Sequence, residues 1–314
     1  MYEIALSVAA CLRAGTRVDV AWVVDAQGLG ARDMGEALAI TPGGGRVGSV
    51  LAGSLDDQLT DLSAQGVTGR IVALRVGDLD AQLAGLACGG DARCALVPAT
   101  MLAVELWDRL RSRDPVCLRA RLDGDRVVDI ATFGPDTIAA AGDEAARLFA
   151  RRVSGSMVEP DAVTSVFWPV PRLLIVGGGA IADALRGAAD LLGWRIDVAT
   201  DARTATGAIA AMAGLDKLVV VSHDVDLAGA ALAAALNGEV GYIGALGSRR
   251  TQQARADWLA YRGVTDLDRV HGPAGLSIGA NTPPEIAVSI LAEAMAVGAN
   301  TTAESLRGRS GPIH

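Results

Sequence analysis

The stretch 172-RLLIVGGGAIADAL-185 decides how the second half of the chain folds. An apolar run, a glycine turn and an amphipathic start predict a strand, a tight turn and a helix. Gly177, Gly179 and Ala182 fit G-x-G-x-x-G/A, with Gly178 between the first two. In that pattern the first glycine permits the turn and the second lets backbone approach a pyrophosphate, which the helix N-terminus meets with N–H donors and partial positive charge. An acidic residue near the end of the following strand would take ribose hydroxyls, and Asp201 is better placed than Asp197. The alternative is that the glycines only let helix and sheet pack closely.

Outward from this turn the pattern alternates: "RIDVAT", "TATGAIAAMAG", "KLVVVS", "LAGAALAAALNG", "EVGYIG", "SRRTQQARADWLAYRG". Strands alternating with helices at this spacing predict a parallel sheet with helices on both faces, a Rossmann-like domain. His223 and Asp224 follow the third strand, where open parallel sheets place ligands, and His271 is expected to converge on the same crevice. Two histidines could serve as an acid/base couple or hold a metal, or each could be hydrogen-bonded in a structural role. In "GALGSRR", Gly247 and Ser248 open a helix, so Arg249 and Arg250 stand at its positive end, suited to a phosphate. Thr282-Pro283-Pro284-Glu285 reads as a capping box that local structure explains.

The first half reads as a mixed α/β domain over residues 1–155. It contains a strand "VDVAWVVDA", a hairpin "ALAITPGGGRVGSV", a helix "SLDDQLTDLSAQG" with Ser54 as expected N-cap, and a strand "RIVALRV". A loop with Cys88-Gly89-Gly90, a strand "ALVPA", a helix near 101–111, a hairpin around Asp123-Gly124 and a helix near 138–152 follow. The proline-rich stretch 156–170 is expected to be a linker, 171–300 the Rossmann-like domain, and 301–314 a tail.

At 314 residues the chain has room for two cores. Its net charge of −8 and lack of basic runs argue against nucleic acid. Lys217 is the single lysine, so no lysine-bearing phosphate loop exists and arginine must carry any anion binding. No apolar run reaches the roughly 18–20 residues of a membrane span, and no secretory signal opens the chain, so a cytoplasmic protein is expected. Cys11, Cys88, Cys94 and Cys117 form no CxxC pair and are expected to be free thiols.

The sequence "YIGALGSRR" followed by "HGPAGLSIGANTPPEIAVSILAEAM" resembles the XdhC/CoxI family, accessory factors of xanthine dehydrogenase, CO dehydrogenase and related molybdenum hydroxylases. "AQGLGARDMGEALAI", "GRVGSVLAGSLDD" and "LACGGDARCALVP" resemble the family's N-terminal segments. The chain departs from the family at several points. Ala180 stands where a histidine usually follows the glycine turn, Ser54 where a cysteine stands, and Asp56 where a glutamate stands; Arg32, Gly35 and Cys88-Gly89-Gly90 are kept.

The resemblance implies a protein without turnover of its own, and with no catalytic residue. It would bind the molybdenum cofactor, as molybdopterin or its cytosine dinucleotide, protect it while a cysteine desulfurase supplies sulfur, and deliver it to an apo molybdenum hydroxylase. The glycine turn, Arg249 and Arg250 suit a phosphate, and a thiol at Cys88 suits a soft metal centre. Ser54 could hydrogen-bond the cofactor but offers no thiolate. Two rivals remain: an NAD(P)-dependent oxidoreductase working through His223 or His271, and a degenerate paralogue that only docks. An exposed apolar edge or helix face would allow a homodimer.

Overall fold

A computed structural model describes residues 1–29 and 34–308. Contacts divide it into two units, Met1–Pro169 and Val170–His314.

In the first unit, β1 (Asp19–Gln27), β2 (Leu38–Ile40), β3 (Arg46–Gly48), β4 (Arg70–Val76), β5 (Gly90–Pro98), β6 (Val116–Asp123), β7 (Arg126–Phe133), β8 (Gly155–Val158) and β9 (Ala162–Phe167) form one sheet. Its order is β3-β2-β1-β5-β4-β7-β6-β9-β8, and every pairing is antiparallel. The sheet curls until its far strands meet β1: Trp22 donates from Nε1 to Ser165 Oγ at 3.0 Å, and Ser156 Oγ reaches the Val23 carbonyl at 3.4 Å. Trp22 and Phe167 meet edge to face inside this curl.

Helices α1 (Ala5–Arg13) and α4 (Val104–Arg111) close the inner core around Ile4, Trp22, Leu106 and Trp107. On the outer face, α2 (Asp56–Ala64) and α3 (Asp78–Leu83) cover Ala21, Val23, Val72 and Leu96. The helix α5 (Asp143–Ala150) covers Cys117 and Val166.

Three expectations change here. Residues 156–170 are not a linker: β8 and β9 pair over Gly155–Val166, and β9 is buried along its whole length. Proline at 160, 169 and 171 suggested a break, but these residues flank the strands and leave the ladder intact. The helix near 138–152 is split at Gly142 into a 3-10 turn and α5. Ser54 does not cap α2: its hydroxyl donates to the Leu51 carbonyl at 2.9 Å, and Leu55 occupies the cap position without a side-chain bond.

In the second unit β10 (Arg172–Val176), β11 (Arg195–Ala199), β12 (Lys217–Val220), β13 (Tyr242–Ala245) and β14 (Val270–His271) form a parallel sheet in the order β11-β10-β12-β13-β14. Helices α6 (Ala180–Leu191) and α10 (Pro283–Gly298) pack on one face with Leu173, Ile175, Val219 and Tyr242. Helices α7 (Ala202–Ile209), α8 (Val225–Leu236) and α9 (Arg249–Tyr261) cover Leu174, Val176, Leu218 and Ile243 on the other. Strands buried on both faces read as unbroken apolar runs, as "RLLIV" and "KLVVV" do. Among the described residues no helix is long and apolar enough to cross a membrane.

Candidate functional site

The chain leaves β10 for β11 on one side, then returns past β10 to build β12 on the other. That reversal opens a crevice beyond the carboxyl ends of β10 and β12. Its walls are the loops 177–179 and 221–224.

Gly177 adopts φ +114°, and a Cβ built there would stand 2.7 Å from the Ser222 nitrogen and 2.9 Å from its Cα. Only glycine satisfies both the left-handed backbone and this approach. Gly178 and Gly179 differ, since a Cβ on either would meet open space. The helix α6 begins after Gly179 with no side-chain cap. Its first-turn N–H groups have no partner within the helix, so they face that space as donors for an anion.

The neighbouring helices are capped from within. Asp201 accepts from Thr204 N at 2.9 Å through one oxygen and from Thr204 Oγ1 at 2.7 Å through the other. These bonds, the backbone one foremost, hold its carboxyl below the usual value. The residue expected to read a ribose is thus engaged as the α7 cap. Asp224 does the same for α8, accepting from Asp226 N at 2.9 Å and Leu227 N at 3.1 Å, and its own N–H donates to Ser222 Oγ at 3.1 Å. His223 lies between them, exposed at the crevice.

His271 does not join it. Register places His271 beside Gly244 and Gly244 beside Val219, so His271 sits two strands from β12 and four residues short of His223. Its ring stacks on Tyr242 with centroids 4.9 Å apart, and its Nδ1 lies 3.5 Å from Glu293 Oε1. Glu293 also accepts from Tyr242 Oη at 2.6 Å and Gly275 N at 2.8 Å. Burial and this carboxylate push the Tyr242 phenol up, so it remains a donor. The expected pairing of His223 with His271 is therefore not formed, and among the described residues no cluster of metal-ligating side chains occurs.

The β13–α9 turn supplies the third wall. Gly247 passes over the Thr251 side chain, Ser248 caps α9 by accepting from Thr251 N at 3.3 Å, and Arg249 and Arg250 are exposed in the first helical turn. Beneath them lies a residue the sequence reading passed over. Arg255 is 2% exposed, donates to the Ser222 carbonyl at 2.8 Å and to the Leu246 carbonyl, and lies against Gln252. Its signal was present: Arg255 stands four residues before the buried Leu259, a cation on the apolar stripe of α9. Beside it, α9 and residues 267–273 bound a cavity of about 340 Å³ floored by Leu232, Leu259 and Val270 and edged by Arg249.

Cys88, Gly89 and Gly90 lie at one end of the first unit's sheet, where β1 and β4 end and β5 begins. Cys88 is exposed there. A Cβ on Gly89 would stand 2.7 Å from the Val76 carbonyl, and one on Gly90 would collide with the Gln27 carbonyl, so both glycines let the Cys88 loop lie flat on its neighbours. Ser54 precedes Leu55, which shares an apolar cluster with Leu29, Leu51 and Leu86. Leu51 and Ala52 take positive φ, and Asp56 accepts from Val50 N at 2.9 Å while partial burial pushes its carboxyl up. Arg32 lies outside the described residues.

Strand order, reversal point and glycine turn define a Rossmann-type α/β domain. Residues 173–294 match the family model described as the XdhC Rossmann domain. The chain is 32% identical over 152 residues to the uncharacterized protein YqeB of Escherichia coli K12, a stretch that makes up 41% of this chain and 28% of YqeB. It thus spans less than a third of the length of that curated relative. A crystal structure described as a xanthine dehydrogenase from Bacillus halodurans is similar at 20% identity and a TM-score of 0.45, covering 96% of this chain and 98% of that one.

Proposed function

We propose that this chain is a molybdenum-cofactor-binding accessory protein of the cytoplasm that holds the cofactor, shields it during sulfuration and passes it to an apo molybdenum hydroxylase of the xanthine dehydrogenase or CO dehydrogenase type. The match of residues 173–294 to the XdhC Rossmann domain carries this reading. The cofactor is cargo here, and each unit, taken by itself, offers residues suited to one part of it. Its phosphate, or the diphosphate of a cytosine dinucleotide form, fits the uncapped start of α6 and the open space at Gly178 and Gly179. Its soft metal centre fits an exposed thiol, Cys88.

Hydride transfer needs a proton donor or acceptor held beside the ring. The rival oxidoreductase would work through His223 in this crevice, where Asp224 already serves as the α8 cap. The partners this reading requires are the apo-hydroxylase and a cysteine desulfurase. Retention of molybdenum and pterin by the purified full chain through gel filtration tests it; absorbance change with NAD(P)H and a substrate would favour the oxidoreductase instead.

A further inference from the structure

We infer that Arg255 is the positioning residue of the crevice: its guanidinium ties the β12–α8 turn to the β13–α9 turn, and through Ser222 it sets the glycine turn for a phosphate-bearing ligand. This rests on the proposed binding role of the crevice, but its geometry stands apart from the ligand's identity.

Arg255 is 2% exposed, yet among the described residues no carboxylate pairs with it. Its partners are neutral: the carbonyls of Ser222 and Leu246, and Gln252 Oε1 at 3.4 Å. Burial alone pulls its pKa down, and arginine remains charged even so. A core helix seeking only stability would place a leucine here, because an uncompensated buried cation is costly. What the cation achieves is a span. One planar fork reaches two turns from different strands, a geometry a lysine ammonium cannot reproduce. Gln252 extends the brace by donating to the Ala245 carbonyl at 2.8 Å.

The brace leads directly to the candidate phosphate site. Val221 and Ser222 both donate to the Val176 carbonyl, at 2.9 and 3.0 Å, and Ser222 lies against the Gly177 backbone. Gly177 N in turn donates to Ala199 at 2.9 Å. Arg255 thus holds Ser222 from behind while the glycine turn rests on its front. Its charge also lies beneath the loops, adding positive potential where an anion would seat.

The test uses the full chain as wild type, Arg255→Lys, Arg255→Met and, as a surface control away from the crevice, Arg70→Lys, whose side chain is exposed beside Asp125. Amide hydrogen exchange is followed at Gly177, Ser222 and Leu246 and compared with Leu174 and Leu218 in the strands; cytidine diphosphate binding is measured in parallel. Both Arg255 variants are expected to speed exchange at the three loop amides at least about tenfold over the strand amides, and to weaken cytidine diphosphate by about tenfold, with Lys giving little rescue and Arg70→Lys no loop effect. Unchanged loop exchange, a uniform rise across the unit, or full rescue by Lys would overturn the assignment. If wild type does not bind cytidine diphosphate, the phosphate reading of the crevice fails, while loop exchange still decides the role of Arg255.

Discussion

Gly177 and Ser222 meet backbone to backbone across the reversal point of the parallel sheet, with 2.7 Å between the position of a Gly177 Cβ and the Ser222 nitrogen. The turn and the loop facing it are therefore one packed unit. Gly177→Ala must both enter a left-handed backbone and displace main chain, and we expect it to cost about 2–4 kcal/mol of stability. Gly178→Ala meets nothing and should fall within about 0.5 kcal/mol of wild type. Urea melts of the two variants separate these cases, and equal stabilities would contradict the geometry. If the open space receives a ligand, Gly178→Ala should weaken binding while leaving the fold intact.

The thiols should divide by burial. Cys94 and Cys117 are buried, and desolvation pushes both thiols up to about 12, so at neutral pH they are protonated and shielded. Cys88 is exposed. Limited alkylation of the native chain followed by peptide mass analysis should label Cys88 first, leaving Cys94 and Cys117 unlabelled until denaturant is added. Early labelling of either buried thiol would contradict the packing of β5 or β6.

Two exposed caps give the second unit an acid-sensitive component. Hydrogen bonds from Thr204 to Asp201, and from Asn281 and then Thr282 to Glu285, lower both carboxyl pKa values. A carboxyl depressed on folding contributes stability that is full above its unfolded pKa and lost as pH falls through its folded value. Asp201→Asn combined with Glu285→Gln should therefore lower Tm at neutral pH, with the deficit closing in acid once the wild-type carboxyls protonate. Asp56 has the opposite sign: burial raises it, so its contribution is lost as pH rises through the folded value, and Asp56→Asn should gain on wild type toward neutral pH. Deficits and gains that do not change with pH would contradict these assignments.

The parallel sheet was readable because its strands are apolar throughout and its helices carry their own punctuation. Ser248 and Thr282 appear in sequence at the caps they form. Asp201 shows the limit of that reading, since one aspartate at a strand end can serve a ribose or a helix, and only the Thr204 bonds reveal which it does here. The two-residue β14 is too short for any periodic signal, and without it His271 looked like a crevice residue. In the first unit, proline hid β8 and β9, whose pairing depends on β6, more than thirty residues earlier. Arg255 shows its burial in sequence by standing on the stripe of Leu259, but not its role, because its partners are two backbone carbonyls.

The proposed role has this chain carrying the molybdenum cofactor. The direct measurement is equilibrium binding of cofactor released from a donor molybdoenzyme to the purified full chain, reading molybdenum and oxidised-pterin fluorescence on the protein, with NADH and NADPH in parallel titrations. The expected result is near-stoichiometric pterin and molybdenum, competition by excess cytidine diphosphate or inorganic phosphate, and loss of metal retention in Cys88→Ser. A chain that takes up neither pterin nor molybdenum, or that binds NAD(P)H tightly and leaves the cofactor in solution, would contradict it.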